Sequence, residues 1–152
     1  MSYTKISHLE DHIGYWLRCV SNHVSHAFAR KLADQEVTVA EWALMRMLYG
    51  QSPLAPSRVA KQMGMTKGAI TKLVDRLIAK SFIVRASNAD DGRAQTISLT
   101  KEGEKLVPVL AQLADSNDQE YFNHLSSKDQ ETLQRILRHL TTKFGVTSVA
   151  IE

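Results

Sequence analysis

Residues 56–80 read as two short helices broken at a single glycine. Pro56 suits the first position of a helix, where its missing N–H has no helical partner anyway. The segment PSRVAKQM then stops at Gly64, which is free to take the left-handed conformation of a helix C-terminus. Thr66 is placed to cap the next segment, KGAITKLVDRLIAK. Two helices joined by a glycine-centred turn form a helix-turn-helix pattern. The next twenty residues narrow the choice. FIVRA and QTISL are apolar and β-branched, and Asn88-Ala89-Asp90-Asp91-Gly92 between them is a run of turn formers, so a hairpin comes directly after the second helix.

The remainder is helical. From about His8 to Ala33, Ile13, Trp16, Leu17, Val20, Val24, Ala27 and Phe28 recur at three- and four-residue spacing. Thr38 with Glu41 has the spacing of a capping box, in which the threonine oxygen takes an orphan amide and the glutamate folds back on the cap's own N–H. It opens a helix that closes at Gly50. After the hairpin, Thr100 caps a helix reaching Phe122 or His124, with a kink expected at Pro108. Ser126 or Ser127 caps a last helix through Phe144, stopped by Gly145. The expected fold is mainly α with a small β-hairpin wing, organised as one domain over 1–152. A winged helix-turn-helix at about 38–100 lies between dimerisation helices at about 8–33 and 101–144.

Charge is uneven along the chain. Residues 56–105 hold ten Lys/Arg against five Asp/Glu, whereas the rest holds nine against eleven. Positive charge gathered in the middle third is the footprint of a polyanion partner. On a helical wheel Ile70, Leu73, Val74 and Leu77 fall within one sector of about 100°. Gly68, Lys72, Asp75 and Arg76 lie roughly opposite, with Lys67, Ala69 and Thr71 along the edges. Cations mixed with small residues suit a helix that enters the DNA major groove, because bulky apolar groups there would hold it off the base edges.

Other classes are disfavoured. Glu10 and Asp11 interrupt the start where a signal peptide needs an apolar run, and no segment stays uncharged long enough to span a bilayer, so a cytoplasmic chain with no membrane partner is expected. The single cysteine, Cys19, excludes an intrachain disulfide. There is no phosphate-binding glycine loop and no nucleophile elbow, so neither enzyme activity nor a cofactor is expected.

The stretch VAKQMGMTKGAITKLVDRLIAKSFIVRASNADDGRAQTISLTKEGEKL resembles the core of the MarR family, the multiple antibiotic resistance type of regulator. Its most specific piece is Asp91-x-Arg93 followed by Leu99-Thr100 and Gly103. VSNHVSHAFARKLA and TVAEWALMRML also resemble that family, extending the likeness over about residues 8–144. The resemblance implies a homodimer whose first, fifth and sixth helices interlock, each subunit presenting one winged unit to half of a pseudopalindromic operator in double-stranded DNA. The expected role is a repressor released by a small-molecule effector. By residue type and matching position, Lys67, Thr71, Lys72 and Arg76 are candidates for groove and phosphate contacts. Thr66 suits a phosphate at a helix N-terminus, and Ser57 and Arg58 suit backbone contacts. Arg93 resembles the wing arginine that this family sets in the minor groove, and Asp91 resembles a residue that orients a neighbouring arginine. The apolar stripes of the terminal helices independently call for a partner surface.

Three further readings concern input. The resemblance implies a cleft for a small aromatic or phenolic effector, which Trp16, Trp42, Met45 and Arg46 can line or adjoin, although Met and Trp at helical spacing are more often plain core. His12, Tyr15, Cys19, His23 and His26 share one sector of the first helix. A thiol among such neighbours is a possible redox sensor, or the group can bind a metal such as zinc, or it is simply the polar second face of an interface helix; no resident metal is assigned. A winged-helix dimer that binds protein instead of DNA is the alternative from another class.

Overall fold

The computed structural model describes residues 4–88 and 91–146, with residues 88 and 91–94 described by their backbone alone. A 3-10 turn, Leu9–Asp11, precedes α1 (Ile13–Ala33), α2 (Val39–Leu48), α3 (Pro56–Met63), α4 (Lys67–Ala79), β1 (Ile83–Asn88), β2 (Asp91–Leu99), α5 (Lys101–Phe122) and α6 (Ser127–Phe144). The expected class, mainly helical with a two-stranded wing, is the observed one. Among the described residues no helix is long and apolar enough to cross a membrane.

Local signals set most boundaries. Thr38, Thr66, Thr100 and Ser126 each accept an amide of the first helical turn through the side-chain oxygen, every one at 3.1 Å. Gly64 (φ 65°, ψ 32°) and Gly145 (φ 59°, ψ 34°) end α3 and α6 in the left-handed region. The first helix begins later than its periodicity suggests. His12 is extended, and the Asp11 carboxylate takes the His8 amide at 2.9 Å, closing a separate turn in competition with the helix. Trp16 ties that turn back to α1 by donating from Nε1 to the Glu10 carbonyl at 2.8 Å. α5 is assigned as one helix across Pro108, which leaves the carbonyl of Glu104, on an exposed residue, without its usual helical donor.

The hairpin is longer than its apolar runs. β1 and β2 pair antiparallel from Ile83↔Leu99 to Ser87↔Gln95, and a register shift after Ser87 brings Asn88 opposite Asp91. Residues 88, 91 and 92, expected as turn from their type, therefore belong to strand. A third partner has no counterpart in the sequence pattern: Leu54 exchanges both backbone hydrogen bonds with Ile97, at 3.0 and 2.8 Å. A single bridging residue between Pro53 and Pro56 carries no alternating pattern, so only its partner Ile97, fully buried, shows why the loop is held there.

The core joins the winged unit to the middle of α5. Leu44, Met45, Leu48, Val59, Met63, Ile70, Leu73, Val74, Leu77, Ile83, Ile97, Val107 and Leu110 are buried together, each large side chain contributing about 1.5–3 kcal/mol on leaving water. The four α4 residues are those the wheel places inward. The ends of the chain behave differently. On α1 only Ala27 and Leu32 are buried, while Ile13, Trp16, Leu17 and Val20 are exposed; α6 has no buried residue.

Glu41 departs from the expected capping box. Its amide does bond Thr38 Oγ1, but its side chain, 2% exposed, turns its carboxylate to Lys80 Nζ at 2.7 Å instead of folding back on the cap. A buried carboxylate finds more stabilisation in a cation than in one amide.

Gly103 marks where wing and α5 meet. The Phe82 carbonyl accepts the Thr100 amide at 3.0 Å, and Thr100 Oγ1 donates to the Ser81 carbonyl at 2.6 Å while accepting the Gly103 amide. A methyl added at Gly103 collides with the Phe82 carbonyl oxygen and meets Leu99 Cδ2 at 3.2 Å, whereas one added at Gly68 meets open space. Gly103→Ala is therefore expected to cost about 1–3 kcal/mol of stability, with Gly68→Ala neutral or slightly stabilising. Urea midpoints for the two variants check the contrast.

Candidate nucleic-acid interface

The turn between α3 and α4 is short because Gly64 reverses the chain and Met65 closes it by donating to the Ala60 carbonyl at 2.9 Å. α4 then packs Ile70, Leu73, Val74 and Leu77 inward and leaves Lys67, Gly68, Thr71, Lys72, Asp75 and Arg76 exposed. Thr66, Ser57 and Arg58 are also outside the core, at the starts of α4 and α3. The candidates thus lie on the surface of two adjoining helices, and none is spent in the core.

Several of these side chains already have partners. Thr66 Oγ1 holds the Ala69 amide, and Thr71 Oγ1 donates to the Lys67 carbonyl at 2.9 Å. Arg76 Nε lies 4.0 Å from the Glu41 carboxylate, with its side chain still 55% exposed. Lys67 and Lys72 carry the outward charge of the helix. Two residues outside the expected set connect this helix to the wing: Arg85 on β1 donates to Asp75 at 2.6 Å. Asp75 is legible as an outward residue of α4, but a pairing ten residues away across a turn leaves no periodic trace. Asp91 and Arg93 have their backbone in β2; their side chains lie outside the described residues.

The proposed effector residues are dispersed. Met45 is fully buried core, and Trp42 is half-buried, edge-on to Phe28 with ring centroids 6.4 Å apart. Arg46 is exposed and lies over the Tyr49 ring at 5.8 Å, while Trp16 is exposed on α1. None of the four lines the open groove of about 670 Å³ that runs between α5 and α6. That groove has an apolar floor of Phe122, Leu133 and Leu137 with Asp115, Asp118 and Glu131 around it. Burial, then the charge of Asp115, pushes the Asp118 carboxyl above the ordinary aspartate range.

The polar sector of α1 is also spread out. Cys19 is exposed, His12 shares a 3.1 Å hydrogen bond with Ser7, and His23 Nδ1 shares one of 2.7 Å with the Tyr121 hydroxyl on α5. No group of three or more His, Cys, Asp or Glu residues is placed to hold a metal among the described residues. Farther along, Lys31 bridges α1 to α5 through Glu120 at 2.6 Å and the Asn117 side-chain oxygen Oδ1 at 2.9 Å. The Lys31 hydrogen bond and charge hold the Glu120 carboxyl below its ordinary range. Asn117 completes the seam by donating to the Val24 carbonyl at 3.1 Å.

Comparison with known proteins agrees with this architecture. The family model described as MarR family matches residues 35–94, which span α2, the helix-turn-helix and most of the wing. Transcriptional regulator HosA of Escherichia coli is 25% identical over 105 residues, covering 69% of this chain and 78% of that protein. A probable transcriptional regulator from Pseudomonas aeruginosa superposes with a TM-score of 0.78 at 27% identity, over 88% of this chain and 99% of the other. MepR of S. aureus, solved in a complex with DNA, gives 0.79 at 25% identity over 87% and 98%. Family match and structural likeness coincide on the unit whose geometry is described above: residues 35–94 match the MarR family model, and the chain shares the winged-helix fold of these regulators.

Proposed function

We propose that this protein is a DNA-binding transcription regulator that acts as a homodimer on a pseudopalindromic operator. The observation that carries the reading is the exposed cationic face of α4, with the wing strand tied to the same helix through Arg85 and Asp75. A helix free of outward apolar bulk can approach base edges, and a wing fixed to it can reach the adjacent groove. Ser57, Arg58, Thr66, Lys67, Thr71, Lys72 and Arg76 supply the groove and phosphate contacts in this proposal, with Arg93 in the minor groove and Asp91 orienting the wing. Its relative MepR, crystallised with DNA, supports the assignment.

The dimer is supported by what one chain leaves uncovered. Ile13, Trp16, Leu17 and Val20 on α1 and Ile136, Leu137, Leu140 and Phe144 on α6 are large apolar residues on the surface. A second copy buries such faces symmetrically and sets two α4 helices to face two half-sites. Repression relieved by a small aromatic or phenolic effector completes the proposal. Trp42 and the Arg46–Tyr49 pair offer aromatic and cationic surface for an aromatic anion, and release follows if that ligand prefers a dimer whose α4 spacing no longer matches the operator.

Electrophoretic shift on the DNA immediately upstream of the protein's own coding sequence tests the reading. Log affinity is expected to fall linearly with log salt; a flat titration overturns DNA binding. Lys72→Ala should reduce the magnitude of that slope by about 1, as expected for one phosphate contact. Arg93→Ala should weaken binding by on the order of tenfold, the loss of about one charge-assisted hydrogen bond, without changing helical content by circular dichroism.

A further inference from the structure

We infer that Glu41 and Lys80 form a positioning pair that sets the angle of the recognition helix α4, an inference that rests on the DNA-binding reading above. Lys80, the residue that ends α4, reaches across to α2 and donates at 2.7 Å to the Glu41 carboxylate. The same ammonium donates at 2.6 Å to the carbonyl of Glu36, a non-glycine residue held at φ 57° in the turn between α1 and α2. One cation thus joins the end of α4, the start of α2 and a left-handed residue just beyond α1.

The chemistry makes this joint stiff. The Glu41 side chain is 2% exposed, so its charge has little water to fall back on and depends on the cations it meets. Those cations, Lys80 at 2.7 Å and Arg76 at 4.0 Å, both belong to the C-terminal end of the α4 segment. A tilt of α4 away from α2 strips the carboxylate of its partners. Apolar packing by Leu73 and Leu77 tolerates small sliding, whereas a 2.7 Å charge-assisted bond is directional. The pair therefore defines an orientation that the core alone leaves softer. It also couples α4 to the end of α1 through Glu36, so a change in the α1 helices has a direct path to the DNA-reading face. Arg76 Nε lies 4.0 Å from the same carboxylate while its side chain stays 55% exposed.

The test compares specific and non-specific DNA binding in the full-length protein. Upstream DNA and a random-sequence duplex of equal length are titrated with wild type, Glu41→Gln, Lys80→Met, Lys80→Arg and the Glu41→Gln/Lys80→Met double variant. Positioning predicts that Glu41→Gln and Lys80→Met each lose about tenfold in affinity for the upstream DNA and little for the random duplex. The double variant should be no worse than the weaker single one, and Lys80→Arg should retain most of the affinity. Phosphate contacts are not removed, so the salt slope should stay unchanged. If Glu41→Gln fails to fold by circular dichroism, the contrast between Lys80→Met and Lys80→Arg decides in its place. Equal loss on both duplexes, a salt slope reduced by Lys80→Met, or wild-type affinity for a folded Glu41→Gln each overturns the positioning role. A wild-type protein that binds neither duplex overturns the regulator reading itself, and the positioning role falls with it.

Discussion

The carbonyl of Phe82 is the point on which the rest of this molecule depends. It accepts the Thr100 amide and faces the bare α-carbon of Gly103, so the root of the wing and the first turn of α5 are locked together at one backbone contact. Because α5 runs from this joint through the core to the α1 seam, the position of the winged unit is inherited by the helix that carries the outer surface of the chain. Thr100 serves both sides: its hydroxyl donates to the Ser81 carbonyl and accepts from Gly103. Serine can reproduce both bonds there, and alanine neither. The requirement for a hydroxyl, a close backbone approach and an absent side chain within a single helical turn explains why Leu99-Thr100 with Gly103 stands out in the sequence.

Around this joint, two kinds of interaction divide the work. Apolar burial unites α2, α3, α4, the wing and the middle of α5. Ionic contacts fix how these elements are turned: Arg85 with Asp75 holds the wing to α4, Lys80 with Glu41 holds α4 to α2, and Lys31 with Glu120 holds α1 to α5. Ion pairs open to solvent are screened and add little stability, so Lys31–Glu120 and Arg85–Asp75 matter for geometry more than for stability. Lys80–Glu41 differs because one partner is out of water.

How much the residues reveal depends on how local each signal is. The inward face of α4, the four side-chain caps and the two left-handed glycines at Gly64 and Gly145 are decided within one or two helical turns, and all are legible in the sequence. The extra strand partner Leu54 is not, because one bridging residue has no period. Glu41 misleads for an instructive reason: its spacing from Thr38 satisfies a capping box, but spacing does not reveal that a lysine 39 residues onward offers a stronger partner. Side-chain type alone does not place the candidate effector residues Trp16, Trp42, Met45 and Arg46. The fold distributes them between core and surface, with Met45 inside and Trp16 outside.

The uncovered α6 has a consequence for how the chain exists in solution. An 18-residue helix with no buried residue of its own draws little support from its chain, and isolated helices of that length are marginal in water. Its order is therefore lent by whatever surface it meets. Where that surface is another copy, helicity becomes a function of protein concentration, and a dilute sample and a concentrated one differ in structure as well as in association.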